Sequence, residues 1–210
     1  VTVVHSETST GVLTPLPSLV QLAHRHGAAL LVDSVTGIAG VPVETDAWDI
    51  DFVLTGSQKA LALPPGLAFG VASASFIAQA STAGSRGLYF DLVEFEQYVH
   101  KNQTPNTPAL SLLYAAAAQC DAIARETIES RWRRHADMAA MTHDWVNELA
   151  ATTSLPFLLF APAGLRSNTV TAIALPESLT GDAIVQAVAK RGFVIGGGYG
   201  QLKQRTFRVG

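Results

Sequence analysis

Three short apolar runs, separated by a helical pattern and by turns, constrain the fold of this chain more than any other feature. The runs cover residues 1–4, 28–32 and 50–54, and each has the length of a buried strand; the first is also rich in β-branched residues. Between the first two, residues 18–26 have the apolar spacing of an amphipathic helix, with Gly27 directly after it. A strand, a helix and a second strand in this order predict a right-handed crossover in a parallel sheet.

The pattern changes in the second half of the chain. Residues 109–126 and 128–149 have long helical patterns, and shorter strand and helix patterns follow at 168–175, 181–191, 193–195 and 206–209. These pieces predict a small α+β domain that follows a connecting helix.

Composition and charge argue against several classes of protein. The chain has 210 residues, of which 48% are hydrophobic and 15% are charged, so it can bury a sizeable core and does not have the composition of a disordered protein. Its net charge of -3 and the lack of a basic stripe predict no nucleic-acid partner. No apolar run reaches the ~18 residues that a membrane span needs, so we expect no membrane association.

The cysteine and histidine residues indicate which redox compartment suits the protein and whether it has a metal site. Cys120 is the only cysteine, which excludes an internal disulfide and suits a reducing compartment, so we expect a cytoplasmic protein. It falls in an alanine-rich helical pattern, which predicts packing rather than reactivity. The six histidines lack the spacing of metal ligands, and we predict no metal site. Both ends of the chain have the pattern of core strands, so we expect a fragment of a longer protein.

Two charged residues follow neighbouring strand patterns. Asp33 follows the run at 28–32, and Lys59 lies in a turn of small residues after the run at 50–54. Because ligands gather at the carboxyl ends of parallel strands, both side chains are expected at one ligand-binding edge. A pyridoxal phosphate enzyme needs this pair: the amine forms a Schiff base with the aldehyde, and the carboxylate keeps a proton on the pyridine nitrogen.

Each of these groups also has an ordinary alternative. A lone lysine is usually a solvated surface group, but Lys59 is followed by an apolar run at 60–63, where an unused lysine costs stability. Asp33 could instead cap the turn after its strand. The hydroxyls at 8–10 could be ordinary turn groups or could hydrogen-bond a cofactor.

Two further patterns have simpler interpretations. Arg131, Arg134 and Asp137 are three residues apart in a helical pattern, and we interpret this row as a solvated helix face. The glycine-rich stretch at 196–200 lacks the sequence of a phosphate-binding loop. We interpret it as a flexible turn or as a close approach of the backbone to a substrate.

Several motifs together resemble one known family. The segments at 5–13, 31–35, 56–61, 64–66 and 207–210 are similar, in order and spacing, to those of class V aminotransferases. The resemblance is strongest to the alanine–glyoxylate and serine–glyoxylate (serine–pyruvate) group. It implies a fold-type-I enzyme with an aspartate aminotransferase-like, three-layer α/β/α large domain. Residues 1–127 would be the carboxyl part of that domain, and residues 128–210 would be a connecting helix and an incomplete small domain.

The resemblance implies an activity and a set of cofactor contacts. The activity is pyridoxal phosphate-dependent transamination between a small amino acid and a 2-oxo acid. Lys59 would form the Schiff base and move the substrate proton, and Asp33 would bind the pyridinium nitrogen. Val35 would pack on one face of the ring, Thr8 would hydrogen-bond the ring oxygen, and Gln58 would touch the phosphate.

The resemblance also implies a substrate contact and a partner. Arg208 would hold the substrate α-carboxylate, a bidentate task that suits a guanidinium. Gln103 and Asn106 lie in a turn that resembles the segment reaching the cofactor phosphate of the neighbouring subunit. A homodimer with shared active sites is therefore expected. The amino-terminal half of the family, with its glycine-rich phosphate cradle, would be absent from this chain.

Two alternative functions remain open. The first is a cysteine desulfurase-like lyase that uses the same cofactor, although such enzymes commonly carry His before the lysine, where this chain has Gln58, and need a mobile reactive cysteine. The second is a non-catalytic binding domain of the same fold. The joint presence of Asp33, Lys59 and Arg208 argues against that second alternative.

Overall fold

The structure is a computed structural model that describes residues 1–210. Its strands are β1 (Thr2–Val4), β2 (Ser6–Glu7), β3 (Val12–Leu13), β4 (Leu31–Asp33), β5 (Phe52–Gly56), β6 (Ala68–Ala72), β7 (Leu158–Leu159), β8 (Thr171–Ala174), β9 (Gly196–Gly197) and β10 (Thr206–Val209). Its helices are α1 (Leu16–Arg25), α2 (Ala74–Ser81), α3 (Leu92–His100), α4 (Leu110–Glu126), α5 (Ile128–Thr153) and α6 (Gly181–Ala189), with one 3-10 turn at Gly200–Leu202.

The first sheet has the order β1-β4-β5-β6 and is mainly parallel. β1, β4 and β5 run parallel to each other, and β6 pairs antiparallel with β5. Helix α1 connects β1 to β4 as the sequence rhythm predicts, because a parallel return needs a crossover of this kind. The prediction of an α/β fold with a mainly parallel sheet is confirmed.

Side chains alternate between the two faces of this sheet, and different helices pack on each face. Val32 and Val53 project toward α1 and form a closed core with Leu16 and Val20. Phe52 projects from the opposite face, where its ring stacks on Phe76 of α2 with the centroids 5.8 Å apart. Helices therefore contact both faces, although α2 covers only the β5–β6 side of the second face. Two of the aliphatic side chains on that face remain partly exposed, Val4 at 41% and Leu54 at 36%.

The second sheet is entirely antiparallel, in the order β7-β8-β10-β9. Val146 of α5 packs on it, and the core there includes Phe157, Ile173 and Phe207. The strand predicted at 193–195 is wrong. Val194 is 96% exposed, and the strand begins only at Gly196, where the backbone pairs with β10.

Thr127 is the single residue between α4 and α5. The predicted division of the chain into residues 1–127 and 128–210 places its boundary here. That division stays a prediction, because long-range hydrogen bonds also tie the two parts together. The β2–β3 hairpin makes these bonds: Leu13 N donates to Leu165 O at 2.8 Å, and Ser167 N donates to Gly11 O at 2.8 Å.

The middle of the chain leaves apolar side chains exposed. Leu88 is 90% exposed, Phe90 80% and Tyr114 76%. Cys120 is also exposed, so its predicted packing in a helix core is wrong: of the α4 residues, only Ala116 is buried. No helix combines the length and the apolar composition that a membrane crossing requires. The expected cytoplasmic location stays a prediction.

Candidate active site

Lys59 lies in a compact loop that leaves the carboxyl end of β5. The buried Ser57 holds both ends of this loop, because its Oγ donates to Pro64 O at 2.7 Å and accepts from Leu67 N at 3.2 Å. Within the loop, Ala62 N donates to Lys59 O at 2.8 Å. The backbone around the lysine is therefore ordered by hydrogen bonds that do not involve the lysine side chain.

The Lys59 side chain is exposed, not enclosed by the apolar run that follows it, so the apolar setting expected from the sequence is wrong. Lys59 lines two cavities. We call the first the Asp33 cavity; it has about 290 Å³ and is lined by Val4, Ser6, Glu7, Thr8, Asp33, Val35, Thr36 and Lys59. We call the second the Arg208 cavity; it has about 420 Å³ and is lined by Thr8, Thr36, Gln58, Lys59, Ala60, His135, Thr169, Val170, Gly196, Arg208 and Gly210.

Asp33 lies at the carboxyl end of β4, and β4 pairs in parallel with the strand that leads to Lys59. The prediction that the carboxylate and the amine follow neighbouring parallel strands is therefore confirmed. Asp33 Oδ1 accepts a hydrogen bond from Val35 N at 3.0 Å, which orients the carboxylate, and no protein donor contacts Oδ2. Val35 lines the same cavity.

A buried polar pair, His5 and Ser34, lies next to Asp33 in the sheet and lines neither cavity. His5 is 3% exposed, and a hydrogen bond of 2.9 Å joins its Nδ1 to the Oγ of the fully buried Ser34. His5 N also donates to Asp33 O at 2.8 Å. Burial lowers the pKa of His5 from 6.5 to about 4, so the imidazole is neutral at physiological pH.

Thr8 belongs to both cavities through its position in the β2–β3 hairpin. A hydrogen bond of 2.8 Å joins its Oγ1 to Thr36 Oγ1. The turn around Thr8 is closed by Glu7, whose Oε1 accepts from Ser9 N at 2.8 Å and from Ser9 Oγ at 2.7 Å. Two hydroxyls thus face the space beside Lys59.

Arg208 projects from β10 across the glycine strand β9. Its Nε donates to Gly197 O at 2.7 Å, and its Nη1 donates to Thr8 O at 3.1 Å. A Cβ on Gly196 would lie 3.4–3.5 Å from three side-chain atoms of Arg208. The first glycines of the stretch at 196–200 are therefore a strand that Arg208 crosses, and the interpretation as a flexible turn is wrong for them.

Gln58 and two residues of α5, His135 and Arg131, also lie near Lys59. Gln58 lines the Arg208 cavity, as does His135. Burial lowers the pKa of His135, and the neighbouring Arg134 and Arg131 lower it further. The position of His135 could not be predicted from the sequence, because the helical spacing of α5 alone does not indicate which loop the helix faces.

Arg131 is a second residue of α5 whose position differs from the one predicted. It is 7% exposed and donates from Nη2 to Ala60 O at 2.6 Å, so the interpretation of its row as a solvated face is wrong at this position. The reason is the docking of the first turn of α5 under the Lys59 loop. Arg134 and Asp137, the other members of the row, are exposed as predicted.

Three residues considered in the sequence analysis lie outside these cavities. Asn106 lines a separate space of about 220 Å³ next to Leu88, and Gln103 lies exposed in the same turn region. Cys120 lines neither the Asp33 cavity nor the Arg208 cavity. Within one chain, the structure therefore does not bring the Gln103–Asn106 turn or the cysteine to Lys59.

The arrangement has a definite chemical capacity. A primary amine stands between a carboxylate with a free oxygen and a guanidinium held by two carbonyls, and hydroxyls lie beside it. Such an amine can bond covalently to a carbonyl carbon and can exchange protons with a bound molecule. No cluster of three or more His, Cys, Asp or Glu side chains could hold a metal ion.

Comparison with known proteins gives a consistent set of relatives. A family model described as aminotransferase class-V matches residues 1–198. The chain is 35% identical over 213 residues to an aminotransferase of Methanocaldococcus jannaschii, with 100% of this chain and 54% of that protein covered. It is 33% identical over 213 residues to the serine–glyoxylate aminotransferase of Arabidopsis thaliana, with 99% of this chain and 52% of that protein covered.

The solved structures agree with this result. Alanine–glyoxylate aminotransferase from Nostoc sp. matches with a TM-score of 0.90 and 28% identity, and the match covers 100% of this chain and 55% of that one. The chain spans about half the length of the curated relatives it matches.

Proposed function

Because this chain belongs to the class-V aminotransferase family, we propose that the complete protein is a pyridoxal phosphate-dependent aminotransferase. It moves an amino group between a small amino acid and a 2-oxo acid. The observation that carries the proposal is the position of Lys59 between the Asp33 cavity and the Arg208 cavity. One amine in contact with both spaces can serve a cofactor on one side and a substrate carboxylate on the other.

The residues of the Asp33 cavity fit this cofactor. Lys59 would hold it covalently, Asp33 would bind its ring nitrogen through the free Oδ2, and Val35 would offer an apolar contact. Thr8, which lines both cavities, would donate to an oxygen of the ring. Gln58, which lines the Arg208 cavity, would contact the phosphate. Pyridoxal phosphate, when bound, supplies a carbonyl carbon that takes up the amino group and a cationic ring that accepts electrons.

The chain's own residues perform three tasks. Arg208 binds the substrate α-carboxylate, and its bonds to Gly197 O and Thr8 O hold the guanidinium in place for that contact. Asp33 keeps a proton on the ring nitrogen, because an anion next to that nitrogen stabilises its cationic form. Lys59 Nζ would act as the general base that removes the proton from the substrate Cα and as the acid that returns a proton during the transfer.

The names of similar proteins and the charges in the Arg208 cavity both support a small substrate. The similar proteins from Arabidopsis and Nostoc carry the names of serine–glyoxylate and alanine–glyoxylate aminotransferases. In the Arg208 cavity, the only arginine is Arg208, and the depressed pKa of His135 keeps that imidazole neutral at physiological pH. A donor with one carboxylate and a short side chain is therefore the class we propose.

A homodimer with shared active sites is part of the proposal. Gln103 and Asn106 lie in an exposed turn away from Lys59 of their own chain, where they are free to reach a neighbouring subunit. The nearby exposure of Leu88, Tyr89 and Phe90 supports an interface in this region, because single chains seldom leave such side chains in water.

Spectroscopy on the complete protein tests the proposal. We expect pyridoxal phosphate to give a visible absorbance band that borohydride converts to a stable adduct, and peptide mapping to find this adduct on Lys59. Lys59→Ala should abolish the adduct and the transamination of serine or alanine with glyoxylate. Lys190→Ala is the matched control, since Lys190 is exposed at the end of α6 and lines neither cavity.

Other results would contradict the proposal. An adduct on another lysine, or no band at all, would favour a binding domain without this chemistry. Sulfide release from cysteine, with no transamination, would favour a desulfurase-like lyase. Gel filtration and a Gln103→Ala variant test the dimer, because a shared site should lose cofactor affinity when this residue changes.

A further inference from the structure

A buried arginine that the proposed reaction does not use holds the Lys59 loop from outside. Arg131 lies in the first turn of α5, and its Nη2 donates to Ala60 O at 2.6 Å. Its Nη1 donates to Glu126 Oε2 at 2.9 Å. Because Ala60 follows Lys59 directly, this guanidinium connects the backbone beside the lysine to the junction between α4 and α5.

The junction is built to present one carboxylate to two arginines. Glu126 is the last residue of α4, and it also accepts from Arg134 Nε at 2.7 Å and from Arg134 Nη2 at 3.2 Å. The hydrogen bonds from Arg134 and then Arg131 lower the pKa of Glu126, so the carboxylate remains charged. Arg131 is therefore anchored at one end by a partner that a second cation holds in place.

Thr127 makes this geometry possible with an uncommon backbone conformation. Its φ of 66° and ψ of 145° fall in a region that is nearly restricted to glycine, and a β-branched residue there is a genuine outlier. Such strain persists only where the surrounding contacts fix the backbone. The Glu126 contacts and the Thr127 Oγ1 bond from Ser130 N, at 3.2 Å, are such contacts.

Stability alone is a poor explanation for Arg131. Its Nε is buried and has no hydrogen-bond partner. An unpaired buried donor is costly, and apolar side chains of similar volume often replace buried ion pairs without loss of stability. A role that needs the carbonyl of Ala60 at a defined position accounts for the two bonds that the guanidinium does make.

We propose that Arg131 is a positioning residue for Lys59, and that it fixes the carbonyl of Ala60 so that the lysine amine enters between the Asp33 and Arg208 cavities. Its effect on catalysis rests on the proposed function, whereas its effect on the loop does not. A displacement of about 1 Å can cost about 100-fold in rate. Because Arg208 still binds the substrate, loss of Arg131 should lower kcat and leave KM nearly unchanged.

Hydrogen exchange on the complete protein tests the effect on the loop. We compare Arg131→Met with Arg133→Met, a matched control on the same helix that is exposed and makes no side-chain hydrogen bond. Arg131→Met should speed the exchange of the Ala62 and Leu63 amides, which bond within the loop, and leave β4 and β5 peptides as in the wild type. Equal exchange in the two variants would overturn the proposal.

Kinetics and rescue test the catalytic consequence. In the complete protein with pyridoxal phosphate, Arg131→Met should lower kcat about 10-fold or more and change KM less than about twofold. Arg131→Lys should recover part of kcat, because an ammonium can still donate to Ala60 O. If Arg131→Met does not fold, Glu126→Gln replaces it: it keeps Arg131 but weakens its anchor, and a smaller loss of kcat is expected.

The outcomes separate the two proposals. A rise in KM at constant kcat, or no rescue by lysine, would contradict a positioning role. If the wild-type protein forms no borohydride adduct on Lys59, the proposed function fails. The hydrogen-exchange comparison then still decides whether Arg131 holds the loop.

Discussion

The Asp33 cavity and the Arg208 cavity share Lys59, but they are assembled in different ways. The first stands at the carboxyl ends of β4 and β5, and apart from Lys59 its lining comes from the first 36 residues. The second joins segments from both ends of the chain, and Arg208 reaches across 200 positions to donate to Thr8 O. The lining of the Asp33 cavity therefore comes from one part of the chain, although a 2.7 Å hydrogen bond joins its Ser6 Oγ to Ser167 Oγ of the second part. The lining of the Arg208 cavity itself combines residues of both parts.

Of the substitutions that test this comparison, Asp33→Asn should have the largest effect on activity. The amide can still accept the hydrogen bond from Val35 N, but it has no charge with which to keep a proton on a ring nitrogen. We expect kcat to fall about 10²- to 10³-fold, the scale for loss of one preorganised electrostatic partner. Steady-state kinetics of the complete protein measure the effect, and KM for the amino donor should change little because Arg208 is intact.

Asp46→Asn is the control for this variant. Asp46 is exposed on the same part of the chain and makes no side-chain hydrogen bond. Asp46→Asn should leave kcat and KM unchanged. An Asp33→Asn enzyme with the wild-type kcat would show that the carboxylate has no electronic role, and the assignment of the Asp33 cavity to the cofactor ring would be wrong.

Acid should destabilise the folded chain through His5, whose backbone N–H donates to Asp33 O at 2.8 Å. The unfolded chain binds a proton at His5 near pH 6.5 and the folded chain only near pH 4, so the free energy of unfolding falls as the pH drops through this window. At 1.36 kcal/mol per pKa unit, the loss between pH 7 and pH 4.5 is about 2–3 kcal/mol. Well above pH 6.5, where both states are deprotonated, the contribution of His5 is constant.

Urea unfolding at the two pH values measures this loss. His5→Gln should lose less stability between pH 7 and pH 4.5 than the wild type, because its side chain does not titrate. His26→Gln, at an exposed position after α1, should keep the wild-type difference. Equal pH dependence in all three proteins would mean that His5 is not buried in neutral form.

The elements that follow from local pattern were accessible from the sequence. The positions of Asp33 and Lys59 after neighbouring parallel strands follow from the spacing of apolar runs and one amphipathic helix. Helices α4 and α5 were also predictable, since a long periodic pattern does not depend on its partners. Arg208 was predicted from the resemblance to the family, and a guanidinium is suited to binding a carboxylate.

What escaped prediction depends on how the elements dock. Arg131 and His135 belong to a helix with a polar surface, and only the contact with the Lys59 loop distinguishes them from solvated neighbours. The exposure of Lys59 could not be read from the apolar residues that follow it, because the loop turns at Ala62, whose φ is 57°. The conformation of Thr127 is likewise a product of tertiary contacts.

Arg208→Lys tests the docked cavity with a smaller expected effect. An ammonium keeps the charge but cannot bond to Gly197 O, Thr8 O and a carboxylate in one fixed plane. We expect KM for the amino donor to rise about 10- to 100-fold, the equivalent of one lost charged hydrogen bond, with a smaller change in kcat. Arg191→Lys is the control, because Arg191 follows α6 and its Nη1 bonds only the carbonyl of Ala187 at the surface.

A KM shift in both variants would point to a general effect of the substitution, and no shift in Arg208→Lys would place the substrate carboxylate elsewhere. A fall in kcat alone would be the behaviour expected for Arg131, and it would contradict the assignment of Arg208 to the substrate carboxylate. The two arginines thus give opposite kinetic signatures if the two cavities have the proposed roles.

Gly40→Ala has the smallest expected effect and tests the docking itself. A Cβ at Gly40 would lie 2.2 Å from Thr169 Cγ2 and 3.2 Å from Ala60 Cβ, in the wall shared by the Lys59 loop and the Arg208 cavity. Thr169 can escape only by rotating, which breaks its 2.9 Å hydrogen bond with Ser167 Oγ. We expect a loss of about 1–2 kcal/mol in the free energy of unfolding.

Gly84→Ala is the control, because its Cβ would meet no atom within 4 Å. Thr169 does not line the Asp33 cavity, and its direct side-chain link to that cavity is the 3.3 Å hydrogen bond between its Oγ1 and Ser6 Oγ. Gly40→Ala should therefore still form the Lys59 adduct while KM rises; loss of the adduct would mean that this contact couples the two cavities.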